Sequence, residues 1–424
     1  MYKHTLTTLE NGLRIITVPM KGVESMTVMV GVGAGSRYET KETNGLSHFL
    51  EHMVFKGTQK RPTTLDISVA LDSIGAKFNA ATSKEFTFYY VKANAVHQPL
   101  AFEILTDMVL NSKFDPEEIE RERGVIIEEI NMYEDMPIEK VVEVFESLLY
   151  SPTSLGWYTA GKRENVKAIT REDFVNYQKR LYYPGNMVVV KAGKVESKEC
   201  LELTEKYFGR FKAREKEKYE PAVFNQREPR VRLRQKKTSQ SHFCVGFRAY
   251  HQNHPDRFVL DVLSTLLGGS MSSRMFIQVR ERRGLAYYVK TVNENYSDNG
   301  YLMTRVGVDI GKIDEALKVI LDEYQKVIFE KVEASELQKA KEFLKGNFIL
   351  SLEDSQSVAE DYTVEALLDD KIRDPEEIIQ EIEKVTAQDL QRVAKDIFRP
   401  ENLNLAVIGP YNDEERFLKL LRQF

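Results

Sequence analysis

Polar and apolar residues follow two rhythms along the chain, and the switches between them mark its elements. Alternating or continuous apolar runs of strand character fall at 12–19, 25–33, 86–93 and 186–192, then at 242–249, 286–294, 300–308 and 403–408. Apolar residues returning every three or four positions predict helices at 44–56, 63–74, 98–110, 115–132 and 171–181, then at 255–267, 312–328 and 334–350. Several strands follow one another with no helix between them. That order predicts an α+β fold with largely antiparallel sheets rather than a doubly wound one. The N-terminal MYKHTLTTLENGLRIITVPM alternates almost from its first residue and reads as a strand. It lacks the charged-then-apolar layout of a signal peptide and is not Arg-rich like a transit peptide.

The rhythm repeats. ITREDFVNYQKRLYYPGNMVVVKAGK (169–194) and VTAQDLQRVAKDIFRPENLNLAVIGP (385–410) share Thr-x-x-Asp, an amphipathic helix, x-Pro-x-Asn, an apolar strand and Gly, at an offset of 216. FDPEEIERERGVIIEEI (114–130) aligns with VEASELQKAKEFLKGNF (332–348) at an offset of 218. Two similar offsets in the same order indicate an internal duplication. Between the copies, FKAREKEKYEPAVFNQREPR is highly charged and carries two prolines, the composition of a surface connector. The expected domains are therefore 1–212 and 230–424, joined by a linker at 213–229.

Composition narrows the function. At 424 residues the chain exceeds one typical core. A net charge of −5 without a basic cluster argues against nucleic acid as a partner. No apolar run reaches the length of a membrane span. Two cysteines, Cys200 and Cys244, cannot staple a chain this long. These features point to a soluble cytoplasmic protein that folds without disulfides.

The chemistry begins at GLSHFLEHMVFKGT. Asn44 is placed to cap a helix that Gly57 ends in a left-handed turn. Leu46, Phe49, Leu50 and Met53 form its buried stripe, so His48, Glu51 and His52 share the opposite side. The i, i+4 spacing stacks His48 and His52, which offers two imidazoles to one metal ion about 2.0–2.1 Å from each. A third ligand is needed from another helix. In DPEEIERERGVIIEEINMYED, Asp115 is the expected cap, Pro116 the first helical residue and Glu118 the capping-box partner. Glu122 and Glu129 lie along the edge of the Ile119, Ile126 and Ile130 stripe, while Glu128 points away. Either of the first two is a candidate. The second copy has Ala340 and Asn347 at their positions and no His-x-x-Glu-His, so the candidate ligands are missing together.

HFLEHMVFKGT followed by Glu129, with 76 residues between His52 and Glu129, resembles the inverted zinc signature of the M16 metallopeptidases, His-x-x-Glu-His-x76-Glu. The likeness covers the whole chain and is closest to the small processing-protease branch. It implies His48, His52 and Glu129 as ligands of one zinc ion per chain, Glu51 as general base and Glu122 as a supporting acidic group. FNAATSKEFTFYY is similar to the family segment whose Asn and Ala, here Asn79 and Ala80, lie on an edge strand that pairs with substrate. SSRMFIQVRERRGLAYYV matches the segment whose Arg and Tyr, here Arg280 and Tyr287, contact substrate or the tetrahedral intermediate. The short LLGGSMSSRMF replaces the long glycine-rich loop of the family's noncatalytic α subunits.

The resemblance thus implies a zinc endopeptidase hydrolysing extended, unfolded peptides or presequence-like segments inside a chamber. A chamber of four domains implies a homodimer, with an open monomer as the alternative. A catalytically silent scaffold of the same fold is the rival reading, and it predicts eroded ligands.

Overall fold

The computed structural model describes residues 2–212, 214, 217–369 and 371–424. The first half of the chain forms strands β1 (Thr5–Thr8), β2 (Arg14–Pro19), β3 (Ser25–Val32), β4 (Lys77–Thr82), β5 (Thr87–Asn94) and β6 (Met187–Gly193). Its helices are α1 (Leu46–Val54), α2 (Thr64–Asp72), α3 (Gln98–Asn111), α4 (Pro116–Glu134), α5 (Pro137–Tyr150), α6 (Arg163–Ala168), α7 (Arg171–Leu181) and α8 (Ser197–Phe208). The second half forms β7 (Arg230–Gln235), β8 (Gln240–Ala249), β9 (Ala286–Asn295), β10 (Gly300–Asp309) and β11 (Leu403–Gly409). With them are α9 (Arg257–Gly268), α10 (Ile313–Phe329), α11 (Ala334–Ser351), α12 (Ser355–Leu368), α13 (Pro375–Lys384), α14 (Ala387–Ile397) and α15 (Glu414–Leu421). No described helix is long and apolar enough to cross a membrane.

Two sheets carry the fold, in the orders β1-β2-β6-β3-β5-β4 and β7-β11-β8-β10-β9. Only β2/β6 and β7/β11 pair in parallel; every other neighbour is antiparallel. The expected α+β architecture is present. Apart from β1 the two sheets share one topology, as a duplicated sequence requires. The repeat extends to local chemistry. Thr170 with Asp173 and Thr386 with Asp389 close identical capping boxes, so α7 and α14 start in the same way 216 residues apart.

The compact units do not follow the sequence halves. One comprises residues 1–131, 157–220 and 349–376, the other 132–156, 221–348 and 377–424. The expected boundaries, 1–212 and 230–424, are thus displaced, and residues 213, 215 and 216 of the expected linker lie outside the described residues. The two halves have exchanged equivalent helices, for α5 and α12 begin 218 residues apart. In the first unit α12 covers β3 and β6. Thr27 Oγ1 lies 2.9 Å from Ser355 Oγ, and Arg14 donates to the Ala366 carbonyl. In the second unit α5 covers β8 and β11. There Glu146 Oε1 accepts from Tyr296 and Tyr301 at 2.9 and 3.0 Å. A sheet with one helix-covered face leaves its other apolar face to be buried. Nothing local in the repeat specifies which copy supplies the covering helix.

The contact of α12 with β3 is close. A Cβ on Gly31 would sit 2.3 Å from Thr363 Cγ2 and 3.1 Å from Leu367 Cδ1. Gly31→Ala is therefore expected to lower unfolding free energy by roughly 1–3 kcal/mol, as overpacked cores do. Thr363→Ser, which deletes only that methyl, should recover part of the loss in the double variant. Urea unfolding of the single and double variants measures both, and additive losses would dismiss the contact.

Candidate metal centre

α1 starts abruptly. Gly45 occupies its N-cap with φ +104, and a Cβ there would lie 2.7 Å from the Ala160 carbonyl oxygen, so only glycine fits. Asn44 is not the cap. Its amide donates to Glu39 Oε2 and to the Tyr158 carbonyl, both at 2.9 Å. Glu39 caps the helix instead, accepting from Gly45 N (2.8 Å), Ser47 N (2.7 Å) and Ser47 Oγ (2.5 Å). A carboxylate suits the orphan N–H groups and positive end of a helix. Burial nonetheless outweighs these bonds and pushes the Glu39 carboxyl up to about 7.

The rest of α1 follows its sequence pattern. Leu46, Phe49, Leu50 and Met53 are buried, Gly57 turns the chain at φ +126, and His48, Glu51 and His52 share the half-buried side. On α4, Asp115 accepts from Glu117 N at 3.0 Å, but Glu118 pairs with Arg121 instead of closing a capping box. Ile119, Ile126 and Ile130 are buried, Glu122 sits at their edge with 6% exposure, and Glu128 faces solvent.

The two helices meet through their polar edges. His48 Nε2 lies 3.6 Å from Glu129 Oε1, and His52 Nε2 lies 3.6 Å from Glu129 Oε2. These separations are too long for hydrogen bonds. They suit donors that face a shared cation. One ligand atom from each of His48, His52 and Glu129 falls within 4.8 Å of the others, the only such cluster among the described residues. Two imidazole nitrogens and one carboxylate oxygen form a zinc-type donor set with room for a fourth ligand. His48 also fits in its protonation: burial, then the nearby His52, lowers its pKa to about 3, so its lone pair is free at neutral pH.

His52 is held from behind. Its Nδ1 lies 2.8 Å from Glu122 Oε1, and Lys56 Nζ lies 2.5 Å from Glu122 Oε2. Burial disfavours the imidazolium, but the Glu122 bond and the surrounding carboxylates outweigh it and raise the His52 pKa. The same carboxylates strengthen His52 as a donor to any cation. Glu122 shifts down: burial opposes its charge, and the bonds from His52 and Lys56 override burial. Glu51 shifts up, mainly through burial, against a bond from Thr82 Oγ1 to its Oε2 at 2.5 Å and the charge of His52.

Thr82 belongs to β4, the edge strand on which Asn79 and Ala80 also lie. Beside Asn79 is an open pocket of about 200 Å³ whose apolar lining is Phe55, Ile67 and Phe78. Arg280 and Tyr287 are in the second unit, on a π-type turn (Phe276–Glu281) and at the start of β9. The Arg280 guanidinium lies 5.7 Å from the Tyr287 ring centre, and Tyr287 is 75% exposed. The structure thus gathers His48, Glu51, His52, Glu122 and Glu129 within one unit and pairs Arg280 with Tyr287 in the other. Glu39, Lys56 and Thr82 were not among the expected site residues. Lys56 and Thr82 had a signal in the sequence, for Lys56 continues the His48–His52 row by four more residues and Thr82 lies in the FNAATSKEFTFYY segment, whereas Glu39 had none.

Residues 14–161 match the family profile described as Insulinase (Peptidase family M16), and residues 168–344 match Peptidase M16 inactive domain. An uncharacterized zinc protease of Bacillus subtilis is 36% identical over 404 residues, covering 95% of this chain and 97% of its own. The β subunit of mouse mitochondrial-processing peptidase is 34% identical over 416 residues, covering 96% and 84%. The crystal structure of a protease from Helicobacter pylori superimposes with a TM-score of 0.90 at 24% identity, covering 96% of this chain and all of that one.

The cap of α1 carries a pH signature. With its carboxyl at about 7 in the folded chain against an ordinary 4.5, Glu39 holds a proton that the unfolded chain releases. Its stabilising contribution is complete below pH 4.5 and lost as pH rises to about 7. Glu39→Gln removes this titration. The unfolding free energy of wild type minus that of Glu39→Gln should fall by on the order of 3 kcal/mol between pH 5 and 8. Urea unfolding at both pH values tests this, and a constant difference would refute the assignment.

Proposed function

The chain belongs to the M16 insulinase family of peptidases, and on that premise we propose that it is a zinc-dependent endopeptidase acting on extended, unfolded peptides or presequence-like segments. The observation that carries this reading is the convergence of His48, His52 and Glu129 with Glu51 on the same helix side. His48 and His52 would hold zinc through Nε2 and Glu129 through its carboxylate. Bound there, zinc supplies the Lewis acid that polarises a scissile carbonyl and acidifies water.

The remaining steps rest on the chain's own groups. Thr82 fixes Glu51 Oε2, which leaves Oε1 to take a proton from the attacking water and return it to the leaving nitrogen. Burial raises the proton affinity of Glu51 and so equips it to hold that proton between the two transfers. Substrate adds to the open edge of β4 at Asn79 and Ala80, and backbone pairing of this kind reads extended chains with little regard to sequence. The pocket of Phe55, Ile67 and Phe78 beside that edge favours an apolar side chain. Arg280 and Tyr287 enter on the family pattern, as donors to the substrate backbone or to charge developing on the carbonyl oxygen.

One zinc per chain is the stoichiometry that the second copy supports, with Ala340 and Asn347 in place of Glu122 and Glu129. A homodimer would supply the four domains of a chamber. Unpaired Cys200 and Cys244, both buried, fit a cytoplasmic protein. Against a silent scaffold stands the complete set of ligands, base and supporting carboxylate.

Cleavage of an internally quenched, unstructured peptide by wild type should disappear on chelation and return with zinc. Glu51→Gln is expected to keep its zinc while kcat falls about 10²–10⁴-fold. A zinc-loaded Glu51→Gln that cleaves at the wild-type rate would remove Glu51 as base. A zinc-loaded wild type that cleaves nothing would favour the scaffold.

A further inference from the structure

His48, His52 and Lys56 stand four residues apart, one above the other along the same side of α1 and the turn that follows it. The Lys56 N–H still donates to the Met53 carbonyl at 3.1 Å, so Lys56 keeps the helical course beyond the last residue of α1. The chain leaves that course at Gly57, where a Cβ would lie 2.4 Å from the Pro62 carbonyl oxygen. Opposite this row, Glu129 and Glu122 stand seven residues apart on α4. The rows interlock. Glu129 spans His48 and His52, one oxygen to each, and Glu122 spans His52 and Lys56, again one oxygen to each.

The two rungs differ in kind. Those of Glu129 are open at 3.6 Å, whereas those of Glu122 are closed at 2.8 and 2.5 Å. Glu122 is nearly buried and accepts on both oxygens, so neither its torsion nor its charge is left to solvent. Its bond to His52 Nδ1 selects the tautomer in which Nε2 presents a lone pair toward Glu129 and His48. Without Lys56, the second oxygen of Glu122 would lose its donor. Three carboxylates would then crowd two imidazoles, and Glu122 could turn away from His52.

We propose that Lys56 is a positioning residue of the metal centre, acting through Glu122 to hold His52 in the tautomer and orientation that bind zinc. The inference rests on the zinc reading above and assigns Lys56 no contact with metal or substrate. The competing role is an ordinary ion pair between a partly exposed lysine and a nearly buried glutamate, which would leave metal affinity untouched.

The zinc dissociation constant, measured by chelator competition on the full chain, separates the two. Lys56→Met and Lys56→Gln are each expected to weaken zinc binding about 10–100-fold, the range for loss of an outer-shell partner. The thermal midpoint of the zinc-free protein should stay close to wild type. Because Lys56 acts through Glu122, Lys56→Met combined with Glu122→Gln should lose no more affinity than the weaker-binding single variant. Wild-type affinity in both Lys56 variants would overturn the proposal, and additive losses would overturn the route through Glu122. A wild type that binds no zinc would overturn the metal reading itself, a result distinct from either.

Discussion

Three carboxylates, Glu51, Glu122 and Glu129, are brought together out of full contact with water, and the surrounding structure has to make that arrangement tolerable. A half-buried carboxylate without a donor or a cation is costly. Each of the three has a different answer: Thr82 for Glu51, His52 and Lys56 for Glu122, and a pair of imidazoles for Glu129. The last is the weakest answer, since both contacts are longer than hydrogen bonds. Its geometry is that of donors around a divalent cation. The candidate metal site is thus centred on Glu129, the one carboxylate of the three whose neighbours stand beyond hydrogen-bond distance.

Holding these groups in register requires that α1 and α4 neither slide nor rotate. Four apolar residues of α1 and three isoleucines of α4 bury one side of each helix and orient the other. Glu39, anchored outside α1, grips its first turn, and Gly57 releases the chain after its last. A displacement of one residue along α4 would rotate Glu129 by about 100° and remove it from both histidines. The polar ladder is therefore a consequence of apolar packing, and its precision is that of the core beneath it.

Duplication supplied two such frameworks, of which one carries the site. The second retains the topology, the capping box and the long helix α11, but Ala340 and Asn347 stand where carboxylates would be needed. Exchange of α5 and α12 also makes each compact unit depend on both halves of the chain. Edge strand β4 lies next to the site, with its Thr82 donating to Glu51.

Much of this was legible before the structure. The rhythm of apolar residues located the main strands and helices because both periods are local properties of the backbone. The offsets revealed the duplication, and helical spacing alone put His48, Glu51 and His52 on one side and turned Glu128 away. Strand β7, rich in arginine at a sheet edge, and helix α12, buried on more than one side, gave no clean period and were missed. Local reading also misplaced the cap of α1 on Asn44, since Glu39 reaches it from outside the helix.

The sequence by itself determined the fold class, the repeat and the helix that carries the candidate histidine ligands, all consequences of short-range geometry. The family resemblance already implied Glu129 as ligand and Glu122 as support, but only the tertiary structure decided that one Glu129 oxygen faces each histidine, that Glu122 backs His52 through Nδ1, that Lys56 closes the ladder, that Thr82 holds Glu51 and that equivalent helices change places. Those outcomes depend on how two distant helices dock and on which apolar sheet face remains to be covered. Neither is encoded within the span of a single element.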